Sequence, residues 1–335
     1  MSYTSKQSGY TIGSDSYKSV NKIIENYGKR VFIITDDKSK GLIRDMDLDL
    51  KTNGRLIIKD KCRFQTVVKL LLDIKVQKSD MIFAFGDTKS IDTAKIAADR
   101  LDKPLFTFPT SLESSADSRS VSVVYRENNS FEKYYISKNP PIHTFINTNM
   151  IINDSYANFL DGITEILSKE YKFKKSENYI NKIAHHLQDA SIDILEENLL
   201  DAIKDFKDKK ITKKLESIIY AILINDGFIT NVISDNPNYG LSFVDAISYS
   251  LNKINFNKAY LNKAIAILSY LDYKDLEDKK RKIEDLFERL EIMDQIKNYK
   301  LSKDDIENLI SEIKSIYDKE FDEKNIRKSL MHISK

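Results

Sequence analysis

The stretch from Met81 to Ala98 limits the folds open to this chain. Met81-Ile82-Phe83-Ala84-Phe85 is a continuously apolar run, Gly86 follows, and an amphipathic segment continues through Ala98. That order predicts a strand buried on both faces, a tight turn and a helix N-terminus. The first turn of such a helix presents unpaired backbone N–H groups at the positive end of the helix dipole, which suits a phosphate or pyrophosphate. Gly86 is the only glycine between Gly54 and Gly162, pointing to a positive φ or a close backbone approach. By pattern alone, a plain strand-to-helix turn is an equal reading.

The flanking sequence repeats the theme. Apolar spacing predicts a helix over Ser16–Tyr27, a strand at Val31–Thr35 closed by Asp36-Asp37, and a second strand at Arg55–Ile58. A helix over Phe64–Leu72 and a strand at Leu105–Phe108 complete the alternation, which implies a parallel, doubly wound sheet. Ligands of such sheets bind outside the carboxyl ends of the strands, where Asp36, Gly86 and Pro109-Thr110 fall. Val121–Tyr125 and Tyr134–Ile136 read as a hairpin-like insertion at the sheet edge, and Thr144–Ile146 as a further short strand. From about Met150 the signal is helical, with amphipathic runs over 179–206, 211–233, 259–271, 275–297 and 302–319. The predicted organisation is an α/β domain over residues 1–150 and an all-α domain over 151–335.

Composition narrows the partners. The 53 basic and 51 acidic residues leave a net charge of +2, which gives no electrostatic case for nucleic acid or an anionic membrane. A single cysteine, Cys62, rules out an internal disulfide and a cysteine metal cluster and fits a reducing compartment. The polar N-terminus MSYTSKQSGY carries no signal-peptide pattern, and no run is expected to span a bilayer, so a cytoplasmic location is the expectation. Of the histidines, His185 and His186 are adjacent on a predicted helix; their side chains diverge by about 100° and cannot clamp one ion together. No Ser-His-Asp or Cys-His spacing is present.

An α/β half before a helical half, with a strand–Gly–helix turn running into Asp92-Thr93-Ala94-Lys95, resembles the iron-containing alcohol dehydrogenase superfamily. Within it the chain looks most like the glycerol dehydrogenases, with a weaker similarity to the glycerol-1-phosphate dehydrogenases. The matching stretches are Gly86–Lys95, Pro109–Tyr125 and Gly162–Lys169. The resemblance implies a Rossmann-like sheet domain and a dehydroquinate synthase-like helical domain. It also implies NAD or NADP at Gly86, Asp87, Thr88, Lys89 and Asp92. Asp36 would lie near the adenosine ribose, Thr110 near the adenine, and Ser115, Arg119, Val121 and Tyr125 toward the nicotinamide and substrate. A homo-oligomer is a further expectation by similarity.

The departures from the family pattern are specific. Asp87 and Thr88 replace two of the three turn glycines, and Ser115 replaces an aspartate at the substrate end. The family holds iron or zinc with one aspartate and two histidines. Here those positions correspond to Glu165, Asp245 and the neighbourhood of Lys258, with no imidazole, so a divalent metal is not expected. Glu165, Asp245 and Lys258 are the candidate catalytic groups; Glu165 and Asp245 equally read as members of pairs inside the helical domain, Glu165 with Lys169 at i+4. Two functions stand. One is NAD(P)-linked oxidation of a small polyol, or reduction of its ketone, with the metal site lost. The other is a non-catalytic relative that binds a nucleotide, another small molecule or a protein partner in the interdomain cleft.

Overall fold

In the computed structural model, residues 6–172, 179–234, 239–254 and 258–333 are described. Six parallel strands form one sheet in the order β1-β8-β5-β4-β2-β3. They are β1 (Gly9–Ile12), β2 (Arg30–Thr35), β3 (Lys51–Ile57), β4 (Met81–Gly86), β5 (Leu105–Pro109) and β8 (His143–Ile146). Strand periodicity splits the apolar runs between two faces. Phe32, Ile34, Ile82 and Ala84 pack against Ile91, Ala94 and Ala97 of helix Thr88–Arg100. Val31, Ile33, Phe83, Phe85, Phe106 and Phe108 face the other way, over Val20 and Ile24. There Phe85, Phe108 and Phe145 stack face to face, with ring centroids 4.3 Å and 5.1 Å apart. Strands buried on both faces are what unbroken apolar runs encode, and the expected parallel sheet is the sheet observed.

Several elements differ from the sequence expectation. The edge strand β1 lacks an apolar run; it is held by main-chain pairing to β8 from Gly9↔His143 to Ile12↔Ile146. The hairpin of β6 (Val121–Tyr125) and β7 (Phe131–Ile136) does not extend the main sheet but forms its own two-stranded sheet. Its inner residues Val123 and Phe131 join the core of the helical half. The matching stretch Gly162–Lys169 is the C-terminal part of helix Tyr156–Lys169. Helices Phe243–Ile254 and Glu323–Ile333 add to the predicted set. The 22-residue segment Lys213–Ser234 is long and apolar enough to cross a membrane, contrary to the expectation of none, but 78% of its most apolar window is buried inside the protein. It is the central helix of the second core, and a π-helical turn at Ala221–Asn225 interrupts it.

The loop after β5 is seated in the helical half. Leu112 lies in that half's apolar core, and the Leu112 N–H donates to Asp154 at 2.7 Å. The contact is so close that a Cβ on Gly162 would sit 2.2 Å from the Leu112 carbonyl oxygen. In an open helix interior, alanine at a glycine position stabilises by about 0.5–1 kcal/mol. Here the backbone contact dominates, and Gly162→Ala should destabilise the protein by about 1–3 kcal/mol. Urea unfolding of the two proteins checks the sign; an alanine variant as stable as the parent would contradict the packing.

Candidate functional site

The turn after β4 sits as the sequence places it, but its polar groups are already engaged. Gly86 has φ +115°, and a Cβ there would lie 2.1 Å from Asp36 Oδ2. Glycine is therefore required by Asp36 itself. That carboxylate accepts from the Asp87 N–H at 3.0 Å and the Ser39 N–H at 2.7 Å, bracing one strand end against the next. The Thr88 N–H donates to Glu113 Oε1 at 2.8 Å, and Asp87 caps the helix by accepting from the Ser90 N–H at 3.2 Å. Three carboxylates thus occupy the helix N-terminus where an anion would be drawn. Burial, then Glu113, push the Asp87 carboxyl up to about 6, with Lys89 at 3.1 Å opposing. This arrangement does not fit a pyrophosphate, whose charge would meet Asp87 and Glu113 rather than free N–H groups.

A cleft of about 540 Å³ runs from this turn into the helical half, passing Arg119, Tyr125 and Tyr239 to a floor of charged side chains. At the floor, Lys172 Nζ lies 2.6 Å from Glu165 Oε1 and 2.9 Å from Asp245 Oδ1. Lys263 Nζ lies 2.9 Å from the other oxygen of Glu165. Helix Tyr156–Lys169 supplies Glu165, helix Phe243–Ile254 supplies Asp245 and helix Ala259–Tyr273 supplies Lys263. The Ser242 hydroxyl accepts from the Asp245 N–H at 3.0 Å and donates to its carboxylate at 2.9 Å; Tyr134 OH donates to the same oxygen at 3.2 Å. Burial pushes Glu165 up, but Lys172 and Lys263 outweigh it and hold its carboxyl well below the usual range. Burial likewise opposes the charge on Lys172, and Asp245 with Glu165 raise its pKa above that of a free lysine. Two carboxyl groups and two amino groups thus meet in one cage.

This set does not fit a divalent metal. Among the described residues, no group of three or more His, Cys, Asp or Glu side chains is arranged to hold an ion. An ion about 3 Å from the Lys172 ammonium would face repulsion on the order of 10 kcal/mol at an effective dielectric near 20. Carboxylates without imidazole also make a poor iron or zinc site.

A second buried chain of charges fixes the two halves together. Lys169 Nζ lies 2.8 Å from Asp226 Oδ1, and Ser115 Oγ donates to Asp226 Oδ2 at 2.5 Å. The π-helical turn immediately precedes Asp226 and brings it to the loop. Lys169, the expected i+4 partner of Glu165, goes to Asp226 instead. Asp161, one turn before Glu165, lines the same cleft; its Oδ1 is buried with no hydrogen-bond partner, and burial pushes its carboxyl up to about 7.

The residues named from sequence are not all gathered in the cleft. Gly86 forms the turn beneath it, while Asp87, Thr88, Lys89, Asp92, Arg119, Val121, Tyr125, Glu165 and Asp245 line it. Asp36 is buried against the turn, and the Thr110 hydroxyl pairs with Ser39 at 3.0 Å. Ser115 is fully buried on Asp226. Asp92 and Lys95 form a buried pair at 2.8 Å; Asp92 also accepts from the Val123 N–H, so this end of the matching motif anchors β6. Lys258 is exposed at the start of its helix, and Lys263 is the lysine that reaches Glu165. The missed residues are Lys172, Lys263, Glu113, Asp226, Tyr134, Tyr239 and Tyr249. The tyrosines form an aromatic wall in which Tyr249 stacks on Phe131 at 4.8 Å and Tyr134 meets Tyr239 at 5.8 Å. Cys62 is buried, with its thiol pushed up to about 12 by burial, which suits a core thiol. His185 is buried and His186 exposed, as adjacent helical positions require.

The raised Asp87 carboxyl gives a signed pH prediction. An acid whose folded pKa is raised costs stability at high pH, and that cost fades as pH falls from about 6 toward the unfolded value near 4. Asp87→Asn keeps a cap and removes the charge, so it should raise Tm at pH 7.5 and leave Tm unchanged at pH 4. Melting curves at the two pH values check this; equal shifts at both would contradict the electrostatic origin.

Comparison with known proteins places this geometry. The family model described as iron-containing alcohol dehydrogenase matches residues 8–148. The glycerol dehydrogenase of Thermotoga maritima is 24% identical over 290 residues, covering 82% of this chain and 77% of that protein. Glycerol dehydrogenase 1 of Schizosaccharomyces pombe is 26% identical over 186 residues, 53% of this chain and 40% of that protein. Among solved structures, glycerol dehydrogenase from Schizosaccharomyces pombe superposes with a TM-score of 0.83 at 17% identity, covering 99% of this chain and 90% of that one. A probable glycerol dehydrogenase from Sinorhizobium meliloti gives 0.81 at 16% identity, covering 99% and 98%. With an all-parallel sheet half, a helical half and these matches, the chain is similar to the iron-containing alcohol dehydrogenases, by the family model over its sheet half, and is glycerol dehydrogenase-like.

Proposed function

We propose that the cleft binds a small polyol, or a polyol phosphate, at the Glu165–Lys172–Asp245–Lys263 cage, without metal-assisted hydride transfer. The observation that carries this reading is the cage itself at the floor of the 540 Å³ cleft. Hydroxyl groups both donate and accept, so they complement a surface of alternating ammonium and carboxylate. Asp161 adds a buried oxygen with no partner in the same wall, and a ligand hydroxyl would satisfy it. Arg119 also lines the cleft and supplies a cation for a phosphate end.

A second reading, NAD(P)-linked oxidation of a polyol, draws support from similarity to the Thermotoga maritima glycerol dehydrogenase over most of the chain. In that case hydride transfer needs a proton acceptor from the chain. Glu165, held ionised well below the usual range, is a weak base, and Lys258 is exposed at the start of its helix, beside the cleft lining rather than in it. Asp245 sits in the same cage against Lys172, so neither carboxylate is free of a cation.

The test is a thermal-shift and fluorescence titration with glycerol, glycerol phosphate, NADH and NADPH, alongside metal analysis and an assay of glycerol oxidation with NAD+. A polyol or its phosphate should raise Tm by a few degrees near saturation. Lys263→Ala should remove that shift. Divalent-metal-stimulated turnover of glycerol would overturn the reading. Glu113→Ala, which frees the Thr88 N–H, should tighten NADH binding about tenfold, on the order of 1.4 kcal/mol; unchanged affinity would show that Glu113 does not obstruct the turn. Replacing both Asp87 and Thr88 with glycine should act in the same direction.

A further inference from the structure

We propose that the Lys172 ammonium is a tethered cation, filling the place between Glu165 and Asp245 that a divalent ion would otherwise occupy. Three observations carry it. Nζ is within 3 Å of both carboxylates, at 2.6 Å and 2.9 Å, so it bridges groups from two different helices. Its side chain is 14% exposed, and its carboxylate partners are 10% and 12% exposed, so the charges are removed from water together. Lys263 supplies the second positive charge at 2.9 Å, so two ammonium groups balance two carboxylates as one divalent ion would.

A buried carboxylate pair needs two positive charges from somewhere. A lysine brings its charge covalently, with directional N–H donors and no dissociation. Lys172 follows the end of helix Tyr156–Lys169, where the chain turns through Tyr171, and its side chain reaches back to Glu165 seven positions earlier. With the cation built in, the order of the cage does not depend on metal supply. The inference shares a cleft with the function proposed above but not its premise. Metal binding reads the carboxylates alone, so it can fail while the polyol titration succeeds, and the reverse.

The experiment is calorimetric and EPR titration of Mn2+ into the full chain and into Lys172→Ala. The parent should bind Mn2+ no better than the Glu165→Gln variant does. Lys172→Ala should bind one Mn2+ at least about a hundredfold more tightly than the parent, and Lys172→Ala combined with Glu165→Gln should lose that gain. If Lys172→Ala does not fold, Lys172→Gln, which keeps length and hydrogen-bonding capacity, carries the same comparison. Stoichiometric Mn2+ binding by the parent that Glu165→Gln abolishes would overturn the proposal. A folded Lys172 variant with no gain in Mn2+ affinity would overturn it equally.

Discussion

Burying a charge is tolerable only when another charge meets it. Removing a partner from a buried pair costs about 3–5 kcal/mol, because the remaining ion is stranded away from water. That constraint organises the interior of this protein. Asp92 is paired with Lys95 beneath β6, Asp226 with Lys169 between the halves, and Glu165 and Asp245 with Lys172 and Lys263 at the cleft floor. The pairs are spread along one path from the sheet to the helices. Ser115 and the Thr230 hydroxyl extend the Asp226–Lys169 pair with bonds of 2.5 Å and 2.7 Å.

The two ends of the cleft share a logic. At the helix N-terminus after Gly86, the groups that would attract an external anion face the protein's own carboxylates, with Glu113 on the Thr88 N–H at 2.8 Å. At the floor, the carboxylates that would attract an external cation face the protein's own ammonium groups. In both places the chain supplies from within the counter-charge that a ligand would bring. Aspartate and threonine in the turn and the lysines in the cage are then one change of character rather than unrelated losses. They preserve satisfied buried polar groups while removing the need for a charged guest.

The fold was legible because it rests on short-range pattern. Met81–Phe85 had to be a doubly buried strand, and Gly86 had to turn. The long helical runs followed from 3.6-residue spacing. Edge strand β1 was not legible, because Gly9–Ile12 is specified by its partner β8 and carries no apolar run of its own. The cage was half legible. Glu165 and Asp245 could be placed by resemblance, but Lys172 stands seven positions from Glu165 and far from Asp245, Lys263 is distant in sequence from the Glu165 it meets, and only packing of the three helices selects them. Lys258 and Lys263 are equivalent as letters; their helix turns Lys263 inward and leaves Lys258 at its exposed first turn. Glu113 was hidden for the same reason, since its role exists only where the loop after β5 passes over the start of helix Thr88–Arg100.

A satisfied cage also limits what its ligand can gain. A hydroxyl entering a neutral set of ion pairs adds hydrogen bonds to charged groups, each worth about 1.5–3 kcal/mol, and breaks none of the pairs if it bridges them from the cleft side. An ion, by contrast, has to break a pair before it can make one. Asp161 shifts the balance further toward an uncharged guest. Its unpartnered buried oxygen is an acceptor that water or a hydroxyl can meet without carrying net charge into the floor, and burial raises its carboxyl, which favours the protonated form that donates as well as accepts. The chemistry that best complements this floor is therefore oxygen-rich and neutral at the end that reaches Glu165, with any phosphate directed to Arg119.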